Sequence, residues 1–181
     1  MNNISNTTTE FQQVQGIISL HRTKALQAVN NENLLTAWEV GAFVSARLKN
    51  AVWGSKTVMQ LSEYLRAQDP ALRGFSRANI YKMVALYDTY SSSQFIELHD
   101  KLKLHKFIPS ETGQIVQLET AQIEEAEIVS PLARQFVSPT VAQFPNFLEV
   151  TTLTNHFEIL NACKTIKEKI FYILYSFKEN L

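Results

Sequence analysis

Cysteine and long apolar runs are scarce in this 181-residue chain. A single cysteine, Cys163, excludes an internal disulfide and favours a reducing compartment. The first residues, Met1-Asn-Asn-Ile-Ser-Asn, lack the charged start and apolar run of a signal peptide. No stretch is apolar over the length that a membrane-spanning helix needs. These absences predict a cytoplasmic protein without a membrane partner.

An excess of charge of one sign is also missing, because seventeen basic residues balance seventeen acidic ones. Net charge therefore says nothing about a polyanionic partner. The distribution is informative, since basic residues predominate between Arg47 and Lys106 and acidic residues predominate between Glu111 and Glu127. Such a basic region is typical of a surface that binds a polyanion.

The apolar residues that are present recur at helical spacing, and they predict an all-α bundle formed by a single domain over residues 1–181. A hydrophobic content of 45% is sufficient for a core, in which we place Trp38 and Trp53 as packing residues. Gly41 and Ala42 should let a second helix approach closely. We expect helices to begin at a capping box over residues 9–12, near Asn31, at Ser55, at Ser76, near Phe95, near Thr152 and at a capping box over residues 165–168.

Residues 55–90 have the layout of a helix-turn-helix. Ser55 should cap a helix that ends near Asp69-Pro70, and Ser76 should cap the next one after a turn that contains Gly74. In the second helix Ile80, Met83, Val84 and Tyr87 should face inward, whereas Ala78, Lys82 and Ala85 should face outward. This arrangement predicts contacts with the bases or phosphates of DNA from Lys56, Arg73, Ser76, Arg77, Asn79, Tyr81 and Lys82.

Residues 104–150 form an irregular insertion in which Pro109, Gly113, Pro131, Pro139 and Pro145 interrupt helical periodicity. The octapeptide Val129-Ser-Pro-Leu-Ala-Arg-Gln-Phe136 is followed at once by Val137-Ser-Pro-Thr-Val-Ala-Gln-Phe144, and residues 116–123 resemble a third copy. The period is too short for a helical solenoid, which leaves an extended linker or a pairing β-arm. Residues 102–108 and 114–118 also permit a wing hairpin, which would make the helix-turn-helix winged.

Several elements resemble, in order, the N-terminal domain of the YhcG family. They are Trp38-Glu-Val-Gly41, Trp53-Gly54, Gly74-Phe75-Ser76-x-x-Asn79-Ile80 and Asn155-His156-x-x-Ile159-Leu160. This domain normally precedes a PD-(D/E)XK nuclease domain. The resemblance implies a helical DNA-binding module of a bacterial nuclease, with the nuclease domain absent from this chain and acting as its partner in a full-length protein.

Catalytic patterns are missing from the sequence. A PD-(D/E)XK site needs an acidic residue two positions before a lysine, and no Asp or Glu here has Lys two residues later. The chain also lacks a cysteine pair for zinc, His-Glu-x-x-His, a Gly-rich loop ending in Gly-Lys-Ser/Thr, and Gly-x-Ser-x-Gly. Its histidines are dispersed, and we interpret His156 as structural. We therefore predict no enzyme activity, no catalytic residue, no metal and no cofactor.

Two functions remain compatible with these patterns. The first is a non-catalytic module that binds DNA, most simply as a duplex, through the helix-turn-helix. The second is a protein-interaction or dimerisation domain without direct DNA contact, which could form a homodimer. The distribution of charge and apolar area on the folded surface should separate them.

Overall fold

Helices dominate the computed structural model, which describes residues 2–102, 104, 108–109, 115–116 and 144–179. The predicted all-α fold is confirmed. The elements are α1 (Asn2–Lys49), α2 (Ser55–Gln68), α3 (Arg77–Tyr90), α4 (Ser93–Lys101), β1 (Ile108–Pro109), β2 (Ile115–Val116), a 3₁₀ helix (Asn146–Val150), α5 (Leu153–Ala162) and α6 (Ile166–Lys178).

The first helix corrects the sequence prediction of two helices divided near Asn31. α1 is continuous over 48 residues, so neither the capping box at residues 9–12 nor the helix start at Asn31 is correct. No glycine or proline interrupts residues 17–40. Asn30 and Asn31, which suggested a break, use their side chains in tertiary contacts instead of capping. The Asn30 side chain donates to Thr151 O (3.1 Å) and accepts from Leu153 N, and Asn31 donates to Glu149 Oε2.

α1 and α3 pack in close contact at Gly41. A Cβ atom at this position would overlap the carbonyl oxygen of Met83, so only glycine permits the approach. The predicted role of Gly41 is confirmed. One end of the same contact is polar, because Asp88 accepts hydrogen bonds from Ser45 Oγ at 2.6 Å and from Lys49 Nζ at 2.7 Å. Glycine and charge together fix α3 against the C-terminal half of α1.

Two apolar clusters hold the helices together. The larger one surrounds Trp38, which is 2% exposed, and draws on α3, α4, the 3₁₀ helix, α5 and α6. The smaller one consists of Val44, Val58 and Ile80, with Trp53 packed against it, and it fixes α2 to α1 and α3. The packing roles predicted for both tryptophans are therefore confirmed. α2 depends on only three fully buried side chains of this second cluster, so its attachment is the weaker one.

A buried polar pair joins α3 to α5. His156 Nε2 donates to Leu148 O (2.8 Å), and its Nδ1 lies 3.3 Å from the hydroxyl of Tyr90, which donates to it. Burial lowers the pKa of His156 to about 4, outweighing the opposite effect of the bond to Leu148. Burial likewise raises the pKa of Tyr90. The structural interpretation of His156 is thus confirmed.

The insertion is described only in part. A short antiparallel ladder pairs Ile108 with Val116 and Pro109 with Ile115, within the two segments considered for a wing hairpin. The octapeptide copies up to residue 143, and the choice between linker and β-arm, lie outside the described residues. Among the helices described, none combines the length and apolar character needed to cross a membrane.

Candidate nucleic-acid interface

The turn between α2 and α3 is fixed by local backbone chemistry. α2 ends at Gln68 with Asp69 as its C-cap, as the following proline predicts. The Asp69 carboxylate accepts from Ala71 N at 2.9 Å, and Gly74 takes a φ of +88°, a conformation that side chains disfavour. At the other end of α2 the prediction was wrong. Gly54 is the N-cap and makes no side-chain cap bond, so Ser55 is the first helical residue and does not cap.

Ser76 caps α3 as predicted. Its backbone is extended, and its hydroxyl accepts from Asn79 N at 3.2 Å. The first backbone N–H groups of a helix have no acceptor within the helix, and the Ser76 hydroxyl accepts a hydrogen bond from one of them. This bond fixes the point where α3 begins. Ser76 is therefore the residue that sets the start of the helix, whatever else it contacts.

The inward and outward faces of α3 match the predicted ones. Ile80, Met83, Leu86 and Tyr90 are buried, and Val84 and Tyr87 are half-buried against the clusters. Arg77, Ala78, Lys82 and Ala85 are exposed. The outer face thus consists of two alanines between two basic residues, and another molecule has room to approach the helix backbone there.

Arg77 and Lys82 lie at opposite edges of this outer face. The Arg77 guanidinium lies 5.5 Å from the ring centroid of Tyr81, which itself packs against the cluster of Val44, Val58 and Ile80. Lys82 Nζ lies 5.5 Å from the ring centroid of Phe157 in α5. Tyr81 is therefore partly a packing residue, and it orients Arg77.

The other predicted contact residues are less well grouped. Arg73 is exposed in the turn next to Gly74, close in sequence to the start of α3, whereas Asn79 is half-buried on the side of the helix that carries Met83 and Leu86. Lys56 is exposed in the first turn of α2, about 18 Å along that helix from its C-terminal end. Arg73, Ser76 and Arg77 thus lie within five residues of one another at the start of α3, whereas Lys56 lies at the far end of α2.

Among the residues that the structure describes, no acidic side chain forms an ion pair with the basic residues of this surface. Within the described parts of the chain, ion pairs join Lys49 to Asp88 and His99 to Asp100. The carboxylate of Asp88 is the only one on α3, and α1 occupies it. The basic side chains at the N-terminal end of α3 therefore add to the partial positive charge of the helix terminus.

Two residues of the basic region, Arg66 and Arg47, were not among the predicted contact residues. Arg66 is exposed in the last turn of α2, just before the turn that carries Arg73. The Arg47 guanidinium lies 3.3 Å from the ring centroid of Phe43 and 5.6 Å from that of Trp53, at the C-terminal end of α1. A basic residue in the last turn of a helix was the available signal, since it complements the helix dipole.

One cleft elsewhere in the described structure was considered as a possible site. A cleft of about 740 Å³ between α4 and α6 is lined by Glu97 and the lysines 101, 164 and 167, together with Gln94, Leu98, Thr165 and Ile166. No histidine or cysteine lines it. Among the residues that the structure describes, no group of three or more His, Cys, Asp or Glu side chains could hold a metal ion.

Comparison with known proteins identifies the family. A family model described as the DUF1016 N-terminal domain matches residues 13–110, in agreement with the resemblance to the YhcG N-terminal domain. No curated protein and no solved structure matches the chain. The matched residues contain most of α1, all of α2 and α3 and the turn between them, and the chain belongs to the DUF1016 N-terminal domain family.

Proposed function

We propose that this domain binds duplex DNA through the outer face of α3 and is the non-catalytic targeting module of a nuclease-linked protein. The observation that carries this proposal is the composition of that face. Arg77 and Lys82 flank the small residues Ala78 and Ala85. No acidic side chain in the described part of the chain forms an ion pair with Arg77 or Lys82.

The chemistry of the face suits a major groove. Small residues let a helix approach base edges closely, and an arginine in the first turn can make a bidentate contact with guanine. In a helix-turn-helix the N-terminal residues of the second helix are the ones that reach the bases. Arg77 is therefore our candidate for base reading, with Asn79 beside it at the helix flank.

We assign the remaining basic residues to contacts with phosphates. In this proposal Arg73 in the turn and Lys82 at the other edge of α3 contact phosphates on the two sides of a groove, and the N-terminal end of α3 favours an anion. Lys56 would reach DNA only if the duplex also ran along α2. The link to a nuclease rests on the resemblance to YhcG proteins, and the nuclease domain is the proposed intramolecular partner.

The test is a fluorescence anisotropy titration with duplex and single-stranded DNA at two salt concentrations. Binding through phosphates must weaken as salt rises, because counterions are released on association. The triple variant Arg73→Ala, Arg77→Ala, Lys82→Ala should lose affinity for every duplex and show a flatter dependence on salt. On a preferred sequence, Arg77→Ala alone should cost about 1–3 kcal/mol.

A charge-matched control is available on α6. Lys164→Ala, Lys167→Ala, Lys178→Ala removes three exposed lysines in α6 and just before it, and should leave affinity close to that of the parent. If the α3 variant folds normally and binds duplex as tightly as the parent at low salt, the proposal is wrong. Equal losses in both variants would show binding driven only by net charge, which also contradicts it.

A second candidate function, protein interaction, is favoured by a different surface. Large exposed apolar side chains concentrate on the N-terminal half of α1 and not on the outer face of α3. Assembly and DNA binding therefore use different parts of the molecule, and one does not exclude the other.

A further inference from the structure

The N-terminal half of α1 extends away from the helices that pack around its C-terminal half. At 48 residues the helix is about 72 Å long. Every side chain from Thr8 to Val29 is exposed, and burial begins only near Asn30. Most helical stability in proteins comes from the packing of an amphipathic face, so a partner on an apolar face would stabilise this segment.

An apolar stripe runs along this exposed segment. Phe11, Val14 and Ile18 follow one another at spacings of three and four residues, and Ala25 and Ala28 continue the same row. In a heptad assignment Phe11, Ile18 and Ala25 occupy position a, and Val14, His21 and Ala28 occupy position d. Ile17 and Val29 flank the seam at positions g and e.

The stripe faces away from the rest of the described protein. Ile18 in the stripe and Trp38 in the core are twenty residues apart. At about 100° per residue this is five full turns plus about 200°, so the two side chains lie on nearly opposite sides of the helix. Trp38 lies on the side that contacts the body of the protein. The helices that the structure describes therefore leave the stripe exposed.

We propose that a second copy of this chain covers the stripe, and that residues 8–24 of the two copies form an antiparallel two-stranded coiled coil. The domain would then be a homodimer joined through its first helix, with the two globular parts at opposite ends. This inference does not depend on DNA binding, because it uses a surface that the proposed DNA interface does not share.

Charge and shape select the antiparallel orientation. With the seam centred on Gly16, Val14 packs against Ile18 of the second copy, and Phe11 packs against His21. Glu10 of each copy then lies opposite Lys24 of the other, which gives two complementary g–g pairs, and the two Ile17 side chains meet at the centre. A parallel pairing would place His21 against His21 in the seam and would give no complementary pair at e and g.

The first test is the mass of the full chain in solution. Light scattering after size exclusion, from about 1 µM to about 100 µM, should show a species of twice the 20.6 kDa chain mass at the higher concentrations. Val14→Glu with Ile18→Glu should weaken dimerisation by more than about tenfold, because four carboxylates would be buried in the seam. The matched control, Leu20→Glu with Leu26→Glu, removes exposed apolar side chains at positions c and b and should still dimerise.

The two variants replace side chains of comparable exposure. Leu20 and Leu26 are 46% and 72% exposed, and Val14 and Ile18 are each 54% exposed. Circular dichroism of both variants checks that each is folded. A chain that stays monomeric over the whole range overturns the inference. A dimer that persists in the Val14→Glu, Ile18→Glu variant places the interface elsewhere and also overturns it.

A cross-linking pair tests the orientation in a Cys163→Ser background. Ile17→Cys should form a disulfide-linked or bis-maleimide-linked dimer, because the two positions meet at the centre of an antiparallel pair. Ala25→Cys should not, since the two copies of residue 25 are then about 27 Å apart along the axis. Efficient linkage at Ala25→Cys without linkage at Ile17→Cys would establish a parallel pair and contradict the proposed register.

Discussion

At the scale of single residues, the same residue type has different consequences in one helix. Gly16 and Gly41 both lie in α1. An added Cβ meets nothing within 4 Å at Gly16, whereas at Gly41 it meets the backbone of Met83 and the Cβ of Tyr87. Glycine at position 16 therefore only lowers helix propensity, and glycine at position 41 sets the distance between α1 and α3.

We accordingly expect opposite effects from two alanine substitutions. Gly41→Ala should lower the free energy of unfolding by about 1–3 kcal/mol, because α3 must move to admit the methyl group. Gly16→Ala should raise it by up to about 1 kcal/mol through helix propensity. Urea unfolding at a fixed protein concentration measures both. Equal stability of the two variants would show that the α1–α3 contact adjusts without cost.

His156 makes the free energy of unfolding depend on pH. The folded protein keeps this imidazole neutral down to a pKa of about 4, whereas the unfolded chain protonates it near pH 6.5. Between these values the unfolded state binds more protons, so stability is complete above pH 6.5 and falls as pH falls. We expect a loss of about 2 kcal/mol between pH 7 and pH 5 from this group alone.

Urea unfolding at several pH values measures this loss. His156→Gln can keep a donor toward Leu148 O and has no proton to gain, so its stability should change less with pH than that of the parent. An unchanged pH dependence in His156→Gln would show that other groups control acid sensitivity.

At the scale of elements, helix starts depend on whether a hydroxyl meets a free N–H. Ser76 caps α3, Ser92 caps α4, Thr152 caps α5, and Thr165 forms a full capping box with Glu168. The two backbone N–H groups of Lys164 and Thr165 that bond Glu168 also lower the pKa of its carboxyl. Ser55 was predicted from the same residue type, and it failed because Gly54 takes the cap position.

Two serine substitutions should separate a cap from a first-turn residue. Ser76→Ala should cost about 1 kcal/mol in the free energy of unfolding, because Asn79 N loses its acceptor. Ser55→Ala should change stability by less than about 0.5 kcal/mol, since that hydroxyl makes no cap bond. Thermal or urea unfolding provides the measurement. A larger loss at Ser55 than at Ser76 would contradict the assigned caps.

At the scale of the whole molecule, the chain is a helical DUF1016 N-terminal domain, and we predict that it is catalytically silent. No acidic residue precedes a lysine by two positions, and the described residues hold no metal-binding group of carboxylates or histidines. The purified chain with Mg²⁺ or Mn²⁺ should therefore leave plasmid and linear DNA intact. Cleavage that survives repurification and is lost on mutation of a residue of this chain would reveal an overlooked active site.

The sequence alone determined the helical class, the family and most helix starts, because periodicity, proline positions and cap residues act over three or four neighbouring residues. It also determined the outer face of α3, since Ile80 and Met83 fix which side is buried. Tertiary structure decided what local patterns could not. Asn30 and Asn31 bond residues more than a hundred positions away, which keeps α1 continuous. Only packing shows that the stripe from Phe11 to Val29 is exposed, because periodicity reveals an apolar face but not the element that covers it.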